Sequence, residues 1–470
     1  MTGSKVPTDT PVEARGAWGV LAAVTGALFL EGIDIAMLNV AVPSIAADIG
    51  LATGSAHWVI SAYVLAYAGF MILGGRVADL MGRRRVFLIS LGIFIAFSIV
   101  GGFAEDAWLL ITVRFITGAT AGFMTPAGFS LLTTSFPEGP RRNKALAIYG
   151  AIGASGFLLG VVAGGLLTSL GWRWVFFAPA LIGLIFLITG AIFIARTADT
   201  ADAPRGRFDV GGAITLTAAM VALIYGIVTI GENPGDLLGV IAFAAAAVLF
   251  IGFFLLERRV SDPLIPTGVL SKGLLPWTSI VGLLFIGAFF SWQFLLTLFL
   301  QQHLSWGPLP TGLAFAAMGI ELFIAPALTP RLVAKFRNVP VMIVGLVAVA
   351  AAFLLTLRLD DSSGYFDLLA SLLLLGIAFA FIYGPLTAAA VEGVDESQHG
   401  VAGGVVYTGF QFGAALGVSL ATITLVGSHN DTTTLGDYQR ALTVPAIAAV
   451  LALVFGVATL VRQRSITRRS

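Results

Sequence analysis

Gly74-Gly75-Arg76-Val77-Ala78-Asp79-Leu80-Met81-Gly82-Arg83-Arg84-Arg85 lies between two long apolar runs. Four arginines and an aspartate this close together do not sit in hydrocarbon, where each charge costs a few kcal/mol or more. The stretch therefore reads as a short polar loop joining two membrane helices. Lys and Arg accumulate on the cytoplasmic side of such loops, so it marks a cytoplasmic surface. Arginines beside a membrane helix are common. An Asp and a Gly at fixed offsets directly after an apolar helix are more specific.

Composition extends this reading to the whole chain. Of 470 residues, 58% are hydrophobic and 11% charged, and the mean hydropathy is +0.96. Soluble domains carry about 25% charged residues. A deficit this large, spread along the length, means an all-α polytopic membrane protein. Fifty-six glycines suit close helix–helix approach. The chain has no cysteine, which excludes disulfides, thiol chemistry and Cys-based metal sites. Four scattered histidines offer no metal-ligand spacing. The glycine-rich stretches lie inside apolar runs and lack the Gly-Lys-Ser/Thr ending of a phosphate cradle. Neither a cofactor nor nucleic acid is expected, and an ion gradient is the expected source of energy.

A membrane helix needs about 20 mostly apolar residues. Fourteen candidate transmembrane helices result: 17–45, 57–78, 85–104, 108–132, 144–168, 173–195, 210–230, 237–256, 274–300, 308–332, 339–357, 366–390, 400–426 and 440–461. The first is longer than the apolar part of a secretion signal and reads as a helix. Every second loop is basic: Arg76 and Arg83 to Arg85, then Arg141, Arg142 and Lys144, then Arg196, Arg205 and Arg207. Arg258, Arg259 and Lys272 follow, then Arg331, Lys335 and Arg337, and four arginines from Arg462 to Arg469 end the chain. Both termini are then cytoplasmic. The loop between helices 12 and 13 departs, with Glu392, Asp395 and Glu396 where basic residues are expected.

A weak internal repeat divides the chain. Gly156, Gly160 and Gly164 in helix 5 have the spacing of Gly409, Gly413 and Gly417 in helix 13. Each set follows a helix with a proline, Pro126 or Pro385. The expected domains are a cytoplasmic segment 1–16, a six-helix bundle 17–195, a linker 196–272 holding helices 7 and 8, a second bundle 273–461 and a basic tail 462–470. Parallel repeats of this kind place a substrate site at the midplane between halves.

Specific motifs carry a resemblance over nearly the whole length. The order Gly75-x-x-x-Asp79-x-x-Gly82-Arg83-x-Arg85 resembles the loop 2–3 signature of the major facilitator superfamily. The rest is similar to its fourteen-spanner drug:proton antiporter branch, EmrB/QacA-like. Asp34-Ile-Ala-Met-Leu-Asn39-Val-Ala-Val-Pro43 looks like that branch's helix 1 motif. Arg114-Phe-Ile-Thr-Gly118 resembles its helix 4 motif, with Thr117 where Gln is usual. Gly156-Phe-Leu-Leu-Gly160-Val-Val-Ala-Gly164-Gly165 resembles its antiporter motif, with Val161 where Pro is usual. Gly171-Trp172-Arg173-Trp174-Val175-Phe176 and Asp262-Pro263-Leu264-Ile265-Pro266 resemble the segments before helix 6 and after helix 8. The resemblance implies the major facilitator fold, with two six-helix bundles plus two extra helices. It also implies a cytoplasmic latch of Gly75, Asp79, Gly82 and Arg83, one-sided because the loop from Pro330 to Arg337 has no matching Asp.

Chemistry points first to Asp34, near the middle of helix 1. An intramembrane acid is a functional candidate by default, and a carboxyl whose surroundings alternate between water and protein can take up and release a proton. Arg114, the one intramembrane arginine, is its expected partner. The alternative is a static ion pair holding helices 1 and 4. Glu31 is one turn from Asp34 on the same face. It reads as a second proton site or a charge for a cationic substrate, or else as an interfacial acid. Glu321, mid-helix in helix 10, reads as a substrate or second protonation site, or as a hydrogen-bond partner of helix 11 or 13. The substrate is expected against deprotonated Asp34 and Glu321, with Asn39, Tyr63, Trp292, Gln293, Tyr407 and Gln411 as cavity-lining candidates, and aromatic faces suit a flat cation.

These readings point to a proton-coupled exporter of lipophilic compounds, cations favoured, in a bacterial inner membrane. Its partners are the small-molecule substrate, protons and lipid, and family resemblance implies a monomer without catalytic residues. One alternative is a carrier of a single metabolite or lipid on the same fold. Another is a membrane sensor that binds without transport, against which the cost of burying Asp34, Arg114 and Glu321 argues.

Overall fold

The structure, a computed structural model, describes residues 11–51, 53–56, 58–136, 140–195, 210–232, 235–260, 268–394, 399–426 and 433–467. Among these residues the chain forms helices and no strand. The first seven long helices are α1 Pro11–Ile49, α2 Trp58–Met81, α3 Arg83–Gly102, α4 Ala107–Ser135, α5 Pro140–Leu170, α6 Trp174–Phe193 and α7 Val210–Glu232. The rest are α8 Leu237–Glu257, α9 Leu275–His303, α10 Pro308–Phe336, α11 Asn338–Thr356, α12 Tyr365–Ala390, α13 His399–Val426 and α14 Leu435–Thr467. Eleven of them hold a stretch long and apolar enough to cross a membrane, and α2, α5 and α7 carry shorter apolar stretches. That is compatible with fourteen spans. Apolar side chains on every face suit lipid, where a helix satisfies its backbone polar groups internally.

Glycine decides which helices meet. Gly156, Gly160 and Gly164 of α5 lie against the backbone of Phe29, Ile33 and Met37 of α1. Gly409, Gly413 and Gly417 of α13 lie against Ser279, Leu283 and Gly287 of α9. Both ladders advance four residues per step, one helical turn, so each is one stripe of backbone on backbone. Gly118 and Gly122 of α4 meet the backbone at Tyr63 and Tyr67 of α2. Gly74 of α2 meets the carbonyl of Gly122, which Pro126 leaves without its helical N–H partner. Helices α1–α6 pack mainly on one another, as do α9–α14. Helices α7 and α8 form a pair, and α7 rests on α2 and α13, with the Thr217 hydroxyl donating to Gly69 O at 2.5 Å.

Three expectations change. The stretch from Gly74 to Arg85 is not an open loop. Helix α2 runs to Met81, Gly82 alone makes the turn at φ 95°, and α3 starts at Arg83. Only glycine adopts that φ without strain, and the arginines reach polar surroundings on their long stems. Arg84 donates to Ile194 O at 2.8 Å and Ala191 O at 3.2 Å, satisfying carbonyls at the end of α6. Helix 10, expected to be continuous, is broken: Pro308–Phe315 is α-helical, Ala316–Ile320 is a 3-10 segment, and Glu321–Phe336 is α-helical again. Arg331 and Lys335 therefore lie on the helix and not in a loop. Finally, the end of the second half near α11 is tied by an acid after all. Glu392 pairs with Arg337 at 3.8 Å and accepts from Asn338 at 3.1 Å and Gln463 at 2.7 Å. The acid stands after α12 instead of in the stretch that sequence alignment with loop 2–3 points to.

Candidate functional site

The site is built on α1, α2 and α4. Gly118 lets α2 approach α4 closely, and this brings the Tyr63 ring over Arg114, with the guanidinium carbon 4.3 Å from the ring centroid. Arg114 Nη1 donates to Asp34 Oδ2 at 2.8 Å, and Nε donates to Val59 O at 3.1 Å. Asp34 is 0% exposed and Arg114 1%. Asp34 Oδ1 and the Tyr63 hydroxyl are both buried with no hydrogen-bond partner among the described residues. A buried pair of this kind holds only because each charge has the other, and removing one partner leaves an uncompensated ion.

Glu31, 3% exposed, is engaged separately. Tyr67 donates to its Oε2 at 2.8 Å, and Thr125 Oγ1 lies 2.7 Å from Oε1 and 2.8 Å from Oε2. No Lys, Arg or His pairs with it among the described residues. A cleft beside it, too narrow for a water molecule, is lined by Leu28, Phe87, Met124 and Tyr149. Tyr67, Thr125 and Tyr149 escape sequence reasoning. Their only signal is that Tyr67 stands one turn from Tyr63 on α2.

Across the molecule, Glu321 opens the second helical part of α10, half-buried at the end of the 3-10 segment. Irregular backbone at membrane depth is tolerated where it lines a cavity or is buried in protein. The hydroxyls of Tyr383 and Tyr407 are 3.3 Å apart, and Phe410 packs on both rings at 5.6 and 5.4 Å. Tyr149 of α5 borders the cleft beside Glu31. Gln411 is half-buried one turn beyond Tyr407.

The other candidates are placed elsewhere. Trp292 is fully buried, stacked on Phe353 at 5.5 Å, edge-on to Phe315, and donates to Thr356 at 3.3 Å. Gln293 is 0% exposed, and neither its amide oxygen nor its nitrogen has a partner among the described residues. Asn39 donates to Ile35 O of its own helix at 2.9 Å, and its oxygen is unpaired. Gly165 packs on Pro308 and Gly312. The Asp79 side chain lies outside the described residues. Gly75 faces Pro126, and Arg83 begins α3.

Contacts between the halves run from the end of the molecule that carries Asp48 to its middle, and α2 also packs on α13. Gln301, in a π-helical turn closing α9, donates to Val40 O of α1 at 2.9 Å. Gly165 of α5 meets α10 at Gly312, and at the level of Gly32, Phe157 packs on Phe289 and Phe290. Asp48 accepts from Trp172 and Arg173 at 2.9 Å each, tying α1 to the turn before α6. These contacts tie the first half to the second at the Asp48 end.

Comparison with known proteins gives the family. The family model described as Major Facilitator Superfamily matches residues 24–418 and 278–468. The chain is 34% identical over 435 residues to the puromycin resistance protein pur8 of Streptomyces alboniger, covering 90% of this chain and 86% of the relative. It is 32% identical over 407 residues to the cephamycin export protein CmcT of Amycolatopsis lactamdurans, covering 85% and 83%. The crystal structure of the POT family transporter PepTSo superposes with a TM-score of 0.70 at 16% identity, over 98% of this chain and 100% of that one.

Proposed function

The chain belongs to the major facilitator superfamily, and on that premise we propose that it is a secondary transporter exporting lipophilic drugs or toxic compounds in exchange for protons. The carrying observation is the fully buried Asp34–Arg114 pair between α1 and α4. Ionisable groups inside a membrane protein are costly and mark ion and substrate pathways. Relatives named for puromycin resistance and cephamycin export support the export direction. In this reading the protein is a carrier and not an enzyme, acts as a monomer, and lies in a bacterial inner membrane with both termini cytoplasmic.

Two bundles, 17–195 and 273–461, rock about the central site, with 196–272 as linker. The Asp48 end faces outward, so the seam at Gln301 and Gly312 closes the outer side and the cavity opens inward. A cationic substrate enters between Glu31 and Glu321, against Tyr407 and Gln411. Gly75, Asp79, Gly82 and Arg83 form the latch made when the inner side closes, and the ladder from Gly156 to Gly165 carries the rocking.

Ethidium efflux from energised cells tests this. Wild type lowers cell-associated dye, a protonophore abolishes the effect, and expressed Asp34→Asn fails. A defect in Glu321→Gln limited to cationic dyes assigns that residue to the substrate. If wild type moves no dye, polyspecific export loses to a carrier of one metabolite.

A further inference from the structure

Five oxygens meet around Glu31. The Tyr67 hydroxyl lies 2.8 Å from Glu31 Oε2 and 2.8 Å from Thr125 Oγ1. Thr125 Oγ1 also lies within 2.8 Å of both carboxyl oxygens and 3.0 Å from Ala121 O. Four residue pairs are therefore at hydrogen-bond distance: Tyr67–Glu31, Tyr67–Thr125, Thr125–Glu31 and Thr125–Ala121. A hydroxyl supplies one hydrogen, an ionised carboxylate none, and a carbonyl none. With Glu31 ionised, two hydrogens serve these four pairs, and the remaining contacts set lone pair against lone pair around a carboxyl only 3% exposed. A hydrogen on the Glu31 carboxyl serves a third pair.

Asp34 has the opposite demand. Arg114 only donates, so Asp34 must accept, and its ionised form does so at 2.8 Å. Protonating Asp34 would leave the guanidinium as an uncompensated buried charge. The groups around Glu31 are Asp34 on its own helix, Tyr63 and Tyr67 from α2, Thr125 from α4, Phe87 from α3 and Tyr149 from α5. None of these is a cation, and Arg114 is committed to Asp34.

We propose that Glu31 is the carboxyl that holds and releases the coupling proton, while Asp34 stays ionised and positions Arg114. The proposal rests on the transporter reading for its use, though not for its protonation state. Opening of the cleft at Tyr149 admits water. The Glu31 O–H bond then breaks, the proton passes to water, and the electron pair stays on the carboxylate. A cationic substrate entering from the side of Glu321 compensates the new charge, so binding and proton release are one exchange. Tyr67 and Thr125 act as positioning residues that stabilise the carboxyl in its closed state.

Infrared spectroscopy of the purified full chain in detergent tests this without a substrate. Glu321→Gln serves as background so that its carboxyl does not contribute. The protonated-carboxyl C=O band at neutral pH is expected to be present, lost in Glu31→Gln and kept in the double variant Asp34→Asn/Arg114→Met, which removes the pair without stranding a buried cation. Absence of the band, or its loss in the double variant with survival in Glu31→Gln, overturns the proposal. Should Glu31→Gln fail to fold, Tyr67→Phe and Thr125→Val must each shift the band, and an unshifted band in both overturns it. Ethidium added to weakly buffered wild type should release protons read by a pH dye, with release lost in Glu31→Gln; release that survives in Glu31→Gln overturns the proposal. If wild type binds no ethidium, the export reading fails while the infrared band still decides the proton site.

Discussion

The seam of α1 on α5 and the seam of α9 on α13 are the same device carrying different chemistry. Each is a ladder of three glycines stepping four residues at a time along the partner backbone. In that register position 29 corresponds to 279, 33 to 283 and 37 to 287. Glu31 then corresponds to Val281 and Asp34 to Leu284. Where the first half places two acids and recruits Arg114, the second packs rings. Phe379 lies 4.9 Å from Phe285 and 4.6 Å from Phe289, and Trp292 stacks on Phe353. The glycine ladder is thus the scaffold, and the charge is a feature of one copy. A half built on ring packing can move as a body against a half whose centre changes charge.

The sharpest way to break this comparison is to remove the charge from one seam. Arg114→Met should destabilise the protein by about 3–5 kcal/mol, because Asp34 is left as a lone buried ion. Adding Asp34→Asn should recover most of that loss without restoring transport. Leu284→Met at the matching place should cost under about 1.5 kcal/mol, as volume-conserving swaps do. Thermal unfolding of the purified variants measures all three. A full cost that persists in the double variant would mean that helix packing, and not charge, sets the pair's contribution.

A second test asks whether the ladders are equivalent. A Cβ at Gly160 would lie 2.8 Å from the Ile33 backbone, and one at Gly417 would overlap the Gly287 carbonyl. Gly160→Ala and Gly417→Ala should each cost about 1–3 kcal/mol, the usual range for overpacking. A large effect in one and none in the other would break the symmetry drawn here.

The smallest effect belongs to the Asp48 end. Asp48 and Arg173 are 47% and 41% exposed, and exposed pairs contribute about 0.2–1 kcal/mol. Asp48→Asn should lower stability by no more than that, with the difference shrinking as salt is added. A larger loss would show that the Trp172 and Arg173 contacts anchor α1 during the cycle.

Much of the fold and part of the site are legible in the sequence, for different reasons. Asp34 and Arg114 stand out because an acid and an arginine inside apolar helices have few physical explanations. Glycine ladders show as spacing, since the helical repeat fixes which residues share a stripe. Thr125 and Tyr67 do not show, because hydroxyls inside helices are ordinary and usually bond to their own backbone, as Thr117 does to Val113 O. The break in α10 is equally silent. Ala-Ala-Met-Gly-Ile contains no proline, and the 3-10 segment arises where Gly376 of α12 packs against the Met318 carbonyl.

The sequence by itself determined that this chain is a bundle of apolar helices with basic turns and a charged first helix. In lipid each helix must satisfy its own backbone, so that information is local. The tertiary structure alone decided which acid has a cation and which has only hydroxyls. Two residues one turn apart on α1 face different neighbours, and the crossing of α2 over α4 at Gly118 and Gly122 gives Arg114 to Asp34 and leaves Tyr67 and Thr125 to Glu31. That crossing depends on the rotation and separation of three helices distant in sequence, and no local pattern encodes it.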